Sequence, residues 1–305
     1  MRWQWKCLVD NLKGMVPFGS YLRHRKYDFI EYRSIHSRAD WALEEGLQQL
    51  EWLLGARSLA GATVLEIGTG WEPIIPLLYS IAGASRVYLT DLNRLCSPGS
   101  VQGAIDTVVR NKAKVLARLG ADEERYRRAV EWKPAETGVD AGLERIGLTY
   151  LAPCDCQKLD LPIASIDVIS SRAVLEHIPP TVIDGIHKES YRLLKPDGHY
   201  CHFVDPSDHW QHRDRSITRI NFLGFSDFTN YLTNFSGMNF QNRLRHSDYV
   251  RAMKAAGYRL IREERNVDAQ GLEALRMGRV KPAQRFQGYT LEDLATVDSF
   301  LFATK

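Results

Sequence analysis

The residues best suited to chemistry are a glycine-rich turn, which follows a short apolar run. The turn reads Glu66-Ile67-Gly68-Thr69-Gly70, and residues 63–67 have the pattern of a buried parallel strand. Glycines let a chain turn sharply at a strand end and approach a ligand closely. The third glycine of a dinucleotide-binding turn is replaced by Pro73, which has no N–H to offer a phosphate. The turn therefore favours a nucleoside over a dinucleotide.

Two acids follow the next apolar runs of the chain. Asp91 lies 21 residues after Gly70 at the end of the second run, and Asp155 lies just past the third. A carboxylate after the second strand can accept hydrogen bonds from both ribose hydroxyls. An acid after the third strand can meet an adenine amino group. Either acid alone could be a surface charge, but the three features at successive strand ends predict a nucleoside-binding edge.

Strands and helices that alternate along the chain would position these residues. Apolar runs predict strands at 63–67, 86–91, 148–152, 166–171, 199–204, 258–264 and 297–303. Helices are predicted behind an N-cap at Asp40, at 74–82, at 181–194 before the stop signal 195–198, and from Ser247 to Gly257. This order predicts a doubly wound α/β sheet. We expect a helical N-terminal extension over 1–60 and a main domain over 61–305, with insertions at about 98–147 and 206–246.

From about residue 61 to the C-terminus, the ordered motifs resemble class I S-adenosylmethionine-dependent methyltransferases. The matching stretches are VLEIGTGWEPIIP (64–76), VYLTDLN (87–93), CDCQKLDLPIASIDVISSRAVLEHIPP (154–180) and YRLLKPDGHYCHFVDPSDHW (191–210). The resemblance implies a Rossmann-like sheet of seven strands, the last antiparallel, and S-adenosyl-L-methionine as cofactor. Trp71 and Glu72 depart from the commonest family pattern. The detailed wording of the motifs, such as GTGWEPIIP, LEHIPP and HFVDPSDHW, is similar to that of bacterial members from glycan, polysaccharide and specialised-metabolite pathways.

The resemblance also implies where the cofactor binds. The cofactor-binding residues that it implies are Glu66, Gly68, Thr69, Gly70, Asp91, Leu92, Asp155, Cys156, Ser171 and Arg172. The glycine turn would line the methionine part, the acid after the second strand would bind ribose, and the Asp155-Cys156 pair would back the adenine. Ser171 and Arg172 would lie where the fourth strand opens onto the cofactor.

Candidate catalytic residues follow the fourth and fifth strands. Methyl transfer to a hydroxyl usually needs a base as well as alignment, and histidine has a pKa suited to that role. The candidates are His177, His202, Asp205 and His209. His177 could instead only bond to backbone in a turn. Together with His212, the last three also have a spacing that admits a divalent metal, but polar loop residues more often cap or face solvent, so we expect no metal.

The insertion at 206–246 is rich in aromatic residues and arginines. Its rings could form a lid over an acceptor pocket or could pack the insertion onto the domain. Arg213, Arg215 and Arg219 could hold an anionic group of the acceptor or could be surface charge. Both readings stay open at this stage.

Charge and motifs argue against a nucleic-acid partner. Lys and Arg total 40 against 37 Asp and Glu, a net charge of only +3. The fourth strand is followed by Ser-Ser-Arg-Ala instead of the Asn/Asp-Pro-Pro-Tyr signature of many nucleic-acid methyltransferases. The basic excess is concentrated in residues 1–38, where Trp3 and Trp5 are interleaved with lysines and arginines. That segment could contact an anionic membrane surface or pack on the main domain.

The remaining composition predicts a cytoplasmic protein. No apolar run approaches the roughly 18 residues of a membrane span, and the N-terminus has no signal-peptide pattern. The five cysteines are an odd number without framework spacing, which favours reduced thiols. We expect a small-molecule methyltransferase, most plausibly acting on a hydroxyl oxygen of a sugar, glycan intermediate or specialised metabolite. The alternatives are C- or N-methylation of a metabolite and a non-catalytic nucleoside-binding regulatory protein. The sequence leaves the oligomeric state open.

Overall fold

Short apolar runs form one seven-stranded sheet in the computed structural model, which describes residues 2–15, 36–235 and 240–305. The strands are β1 (Thr63–Ile67), β2 (Arg86–Thr90), β3 (Leu148–Leu151), β4 (Ile166–Arg172), β5 (Leu194–Val204), β6 (Arg259–Val267) and β7 (Thr296–Thr304). Their order across the sheet is β3-β2-β1-β4-β5-β7-β6, and only β7 runs antiparallel to its neighbours. This confirms the predicted Rossmann-like sheet with an antiparallel last strand.

Helices connect the strands and cover both faces of the sheet. The helices are α1 (Trp3–Met15), α2 (His36–Ala56), α3 (Ile74–Ile81), α4 (Pro98–Arg110), α5 (Lys112–Leu119), α6 (Glu123–Val130), α7 (Pro134–Thr137), α8 (Val139–Arg145), α9 (Pro180–Leu193), α10 (Asp227–Asn234), α11 (His246–Ala255), α12 (Ala269–Arg276) and α13 (Leu291–Leu294). The insertion predicted at 98–147 thus consists of the five short helices α4 to α8. None of the helices within the described ranges combines the length and apolarity that a transmembrane span requires.

One face of the sheet is covered by α2, α3 and α4. Leu43, Leu47 and Leu50 of α2 recur at helical spacing and are completely buried against this face. Each such side chain contributes about 1.5–3 kcal/mol by leaving water. Although residues 1–60 were expected to form an extension, α2 packs into the same core as the sheet. Residues 16–35 of that segment, including Arg23, Arg25, Lys26 and Arg33, lie outside the described residues.

Two predicted element boundaries are wrong. The helix expected to begin behind Asp40 begins a turn earlier, at His36, so Asp40 lies inside α2 and accepts a hydrogen bond from the amide of Asn111 (3.2 Å). The stop signal at 195–198 does not separate α9 from β5, because β5 begins at Leu194. A shift in register between β4 and β5 absorbs these residues.

The other face of the sheet is covered by α9 and α11. Leu65 and Ile67 of β1 and Tyr200 of β5 point into this second core. Because side chains alternate along a strand, Cys201 points to the opposite face, where its carbonyl accepts a hydrogen bond from Gln49 of α2 (2.8 Å). This alternation decides which side chains of β5 can reach a ligand.

The insertion at 206–246 mostly packs onto the domain. Phe222 is buried in a third small core with Ile220, Leu275 and Phe286. Trp210 is buried as well, and Trp3 of α1 lies beside it with ring centroids 6.3 Å apart. The structure therefore favours the packing interpretation for the first half of the insertion. Only α10 exposes its apolar side chains.

Candidate functional site

The turn after β1 has a backbone that requires glycine. Gly68 and Gly70 have φ angles of +71° and +72°, which lie in the left-handed region. A Cβ added to Gly68 would stand 2.6 Å from Cγ1 of Val174, closer than a real side chain tolerates. The N–H groups of Gly68 and Thr69 both donate to the carbonyl of Thr90 at 2.9 Å. The turn is thereby tied to the end of β2.

Glu66 is the buried acid of this turn. The hydroxyl of Thr69 donates to its Oε2 at 2.6 Å. Burial raises the pKa of Glu66 to about 7, although the Thr69 hydrogen bond acts in the opposite direction. The carboxyl group can therefore change its protonation state near neutral pH, directly beneath the turn.

Asp91 joins the end of β2 to the same turn. Its Oδ2 accepts from the backbone N–H of Gly70 at 3.1 Å, and its Oδ1 accepts from that of Asn93 at 3.0 Å. Each carboxylate oxygen can accept a second hydrogen bond. Burial raises the pKa of Asp91, and these backbone donors partly oppose the rise. The neighbouring Leu92 is 69% exposed, so an apolar side chain faces solvent at this edge.

The segment after β3 completes the edge. The N–H of Cys154 donates to the carbonyl of Asp91 at 2.8 Å, which places the two strand ends side by side. Asp155 is exposed, and its Oδ1 accepts from the backbone N–H of Gln157 at 2.9 Å. The thiol of Cys156 is buried and donates to the hydroxyl of Thr90 at 3.1 Å. The structure thus places all three predicted features at one edge of the sheet.

A cavity of about 1440 Å³ opens beside the glycine turn. Binding cavities for single ligands are usually about 300–1,000 Å³, so this space can hold two molecules side by side. Gly68, Thr69 and Gly70 line one end, and Asp205 and His209 line another part. A Cβ added to Gly70 would meet no atom within 4 Å, so the backbone there faces open space. Asp91, Leu92, Asp155 and Cys156 are not among the lining residues, so the cavity adjoins the glycine turn but not the acids after β2 and β3.

Sequence reasoning missed the contribution of α2 to this cavity. Arg172, at the end of β4, forms an ion pair with Glu45 (Nε to Oε2 2.6 Å), and its guanidinium lies 4.1 Å from the ring centroid of Trp41. Both partners come from α2 and line the cavity. Their spacing of four residues puts them on one face of the helix. That spacing is the only signal, and it is common to many surface helices.

Three of the four predicted catalytic residues lie together. Nε2 of His209 is 3.3 Å from Oδ2 of Asp205, and the rings of His209 and His177 have centroids 4.9 Å apart. Asp205 is buried, and its Oδ1 accepts from the N–H of Ser207 at 3.0 Å. Burial alone would raise the pKa of Asp205, but His209 and Ser207 hold it below its usual value. A carboxylate beside an imidazole can orient the ring and stabilise its protonated form.

His202 lies elsewhere. It points to the face of the sheet covered by α9 and is completely buried. Its Nδ1 stands 2.6 Å from the hydroxyl of Ser171, which is also buried. Neither side chain lines the cavity. The spacing of His202, Asp205, His209 and His212 therefore does not bring four ligands together, because His202 is on the opposite side of β5.

The arginines of the insertion lie in the cavity wall. Arg213, Arg215 and Arg219 line it together with acids such as Glu264 and Asp298. Arg219 is paired with Asp298 at 3.6 Å. The wall thus offers hydrogen-bond donors and acceptors of both signs, a lining that suits a polar acceptor.

Comparison with known protein families gives the class of this protein. Residues 35–263 match the family described as methyltransferase domain. The chain belongs to this family, within the class I S-adenosylmethionine-dependent methyltransferases of Rossmann-like fold. No curated protein is significantly similar in sequence.

Several solved structures are similar to the chain. An S-adenosylmethionine-dependent methyltransferase from Mesorhizobium loti is 18% identical, with 88% of this chain and 98% of that chain covered and a TM-score of 0.44. Magnesium protoporphyrin IX methyltransferase from Synechocystis PCC 6803, solved with bound SAH, is 12% identical, with 94% of each chain covered and a TM-score of 0.47. 1,6-Didemethyltoxoflavin-N1-methyltransferase from Burkholderia thailandensis is 16% identical, with 95% and 91% covered and a TM-score of 0.45.

Proposed function

We propose that this methyltransferase acts on a hydroxyl oxygen of a small polar molecule such as a sugar, a glycan intermediate or a specialised metabolite. One observation carries the proposal: a single cavity contains both the glycine turn at Gly68–Gly70 and the Asp205–His209 pair. A methyl donor held at the turn and a proton acceptor would therefore face the same acceptor molecule. The mixed arginine and acid lining favours an acceptor rich in hydroxyl groups.

The cofactor would be held by the residues of the β1, β2 and β3 ends. Asp91 has lone pairs left for ribose hydroxyls, Leu92 offers an exposed apolar surface to the adenine, and Asp155 is exposed beside it. The glycine backbone of 68–70 leaves room for the methionine part, with Glu66 beneath it. S-Adenosylmethionine supplies a methyl group bound to a positively charged sulfur, and that sulfur becomes a neutral thioether when the methyl group is transferred.

The Asp205–His209 pair would receive the proton of the acceptor. His209 would take the proton of the acceptor hydroxyl as the methyl group is transferred to the acceptor oxygen. The carboxylate of Asp205 stabilises the positive charge that forms. The cavity wall from α2, with Trp41 and the Arg172–Glu45 pair, would limit the access of water.

Product analysis tests this assignment. The full chain is incubated with S-adenosylmethionine and a panel of sugars, nucleotide-sugars and phenolic metabolites, and the methylated atom is located by NMR. We expect an O-methyl product. An N- or C-methyl product would support the alternative reaction instead. Tight cofactor binding with no turnover on any acceptor, including a cell metabolite extract, would support the regulatory alternative.

We also propose a peripheral membrane contact through α1 and α10. Both helices carry a stripe of exposed apolar residues at helical spacing. The stripes are Trp5, Leu8, Val9, Leu12 and Met15 on α1, and Phe228, Tyr231, Leu232 and Phe235 on α10. The opposite face of α1 packs on α10, where the amide of Asn11 donates to the carbonyl of Thr233 at 3.0 Å. Arg2, Lys6 and Lys13 beside the α1 stripe complement anionic lipid headgroups, although Lys6 is also paired with Asp10 at 2.6 Å.

Vesicle flotation tests this contact. The chain should float with vesicles containing phosphatidylserine, and Leu8→Glu should abolish flotation because it places a charge in the apolar stripe. Ile163→Glu is the matched control, since Ile163 is equally apolar and exposed in the loop before β4. Equal flotation of both variants would contradict the proposal.

We also propose a cytoplasmic location, which is supported by the five cysteines, all of which are free thiols.

A further inference from the structure

A cluster of possible metal ligands lies behind the Asp205–His209 pair. Glu176 and His177 belong to the single helical turn Leu175–His177 that follows β4, and His209 begins the turn that follows β5. One ligand atom from each residue lies within 4.8 Å of the others. Because β4 and β5 are parallel neighbours, their carboxyl ends bring the two turns together.

The carboxylate of Glu176 is the unusual member of this cluster. The residue is only 1% exposed. Neither of its oxygens has a hydrogen-bond partner within residues 2–15, 36–235 and 240–305. A buried carboxylate without donors is costly, so such groups are normally protonated, paired or bound to a cation, and burial raises the pKa of Glu176 well above its usual value. The side chain therefore points to a ligand that would satisfy it.

One ring nitrogen of each histidine lies within 4.8 Å of the other and of a Glu176 oxygen, with His177 exposed and His209 partly buried. Nδ1 of His177 lies 2.8 Å from the carbonyl of Phe240, so Nδ1 carries the proton and Nε2 is left with its lone pair. Histidine ligands of metals are typically oriented by such a bond from the other ring nitrogen. Nε2 of His209 is buried and makes no hydrogen bond to the described residues, although Oδ2 of Asp205 stands 3.3 Å away.

We propose that Glu176, His177 and His209 bind a divalent first-row transition metal ion, while Asp205 beside them stays free of the metal. Two imidazoles and a carboxylate form a donor set for ions such as Zn²⁺, Co²⁺ or Mn²⁺, whereas Mg²⁺ prefers oxygen ligands. Metal–ligand distances of about 2.1 Å place neighbouring ligand atoms about 3–3.5 Å apart. The ligand atoms of the cluster lie within 4.8 Å of one another, so they would move together by up to about 1–2 Å to hold an ion.

The site would serve the proposed O-methylation, on which its catalytic meaning rests. It adjoins the cavity through Asp205 and His209, so a cation here could bind the acceptor oxygen and make its hydroxyl more acidic. The cation would occupy the Nε2 lone pair of His209. In the metal-loaded protein, the Asp205 carboxylate would then be the remaining proton acceptor.

Metal binding is tested on the full chain without a histidine tag. Apoprotein prepared with a chelator is titrated with Co²⁺, followed by visible absorption and equilibrium dialysis. We expect about one ion per chain, and a loss of affinity of at least about 10-fold in both Glu176→Gln and His177→Ala. His199→Gln is the matched control, since His199 is a histidine of β5 that stacks on Phe302 and does not line the cavity, and it should bind Co²⁺ like the wild type.

Folding and turnover are measured separately from metal binding. Calorimetry with S-adenosylhomocysteine shows that each variant is folded, and the thermal midpoint of the wild type, but not of Glu176→Gln, should rise with Co²⁺. Co²⁺ bound without any O-methylation would uphold the metal site and reject the proposed function. No stoichiometric Co²⁺ binding, or undiminished binding in folded Glu176→Gln and His177→Ala, would overturn the metal site.

Discussion

The backbone N–H of Gly70 donates to Oδ2 of Asp91 at 3.1 Å, which joins the turn after β1 to the acid after β2. Because the carboxylate is held by the turn itself, it is oriented before a ligand arrives. Pre-orientation of this kind lowers the entropy that binding must overcome. The turn and the acid therefore form one unit at the edge where we propose that the cofactor binds.

Asp91→Ala should weaken S-adenosylmethionine binding by about 1.5–3 kcal/mol, because hydrogen bonds between a charged group and the ribose are lost. Calorimetry measures the change. Asp160→Ala removes an exposed acid outside the cavity and serves as the control. Equal affinity in the two variants would contradict the ribose assignment.

Gly68→Ala should abolish cofactor binding or destabilise the fold, because its Cβ would collide with Val174. Gly61→Ala is a matched control with a similar φ of +76° and no atom near the added Cβ, so it carries backbone strain of about 1–2 kcal/mol without the collision. Urea unfolding and calorimetry compare the two. Gly68→Ala combined with Val174→Ala should recover part of the loss, and no recovery would count against this explanation.

Glu66 should make stability depend on pH. Its pKa rises from 4.5 to about 7 on folding, so the folded chain keeps a proton that the unfolded chain has lost. Its contribution is present below pH 4.5 and is lost as pH rises to about 7, with a slope of up to about 1.4 kcal/mol per pH unit. Relative to Glu66→Gln, the wild type should therefore lose stability over this range. Urea unfolding gives the free energy of unfolding of both proteins from pH 5 to 8. A constant difference between the two proteins over this range would refute the raised pKa of Glu66.

Asp205→Asn and His209→Ala should each lower turnover by about 10²–10⁴-fold, the range for loss of a general base. Cofactor affinity should stay nearly unchanged, since neither residue lies at the β1–β3 edge. His202→Gln should lower stability but retain most turnover, because His202 is buried beside Ser171 outside the cavity. Steady-state kinetics compare the turnover of each variant with that of the wild type. A folded His209→Ala variant with wild-type turnover would exclude His209 as the base.

Glu45→Gln should destabilise the fold by about 1–3 kcal/mol, because it disturbs the buried contact with the guanidinium of Arg172. Burial raises the pKa of Glu45 to about 8, so the larger cost of an unpaired buried charge does not apply at neutral pH. The double variant Glu45→Gln with Arg172→Met should recover most of this loss, since it removes both partners. Chemical denaturation of the three variants gives the coupling energy. A loss in the double variant equal to the sum of the single losses would show that the pair is not coupled.

The sequence alone was enough to predict the sheet, its antiparallel last strand and the meeting of the glycine turn, Asp91 and Asp155 at adjacent strand ends. Apolar runs followed by Gly68, Asp91 and Asp155 carry this information locally, because the carboxyl ends of parallel strands must lie at one edge. The predicted start of α2 was wrong by one turn. Asp40 is a good capping residue, but in the structure it lies inside α2 and accepts a hydrogen bond from Asn111 instead. The preference of Asp for the first position of a helix is weak compared with tertiary packing, which determines where α2 begins.

Only the tertiary structure decided which side chains meet around the acceptor. His202 and Asp205 are three residues apart, yet the pairing of β5 with β4 turns His202 into the core beneath α9. A strand's register determines the face of every side chain, and register depends on partners distant in sequence. The same long-range packing brings Glu45 to Arg172 and Glu176 to His209, pairs that no spacing in the sequence connects.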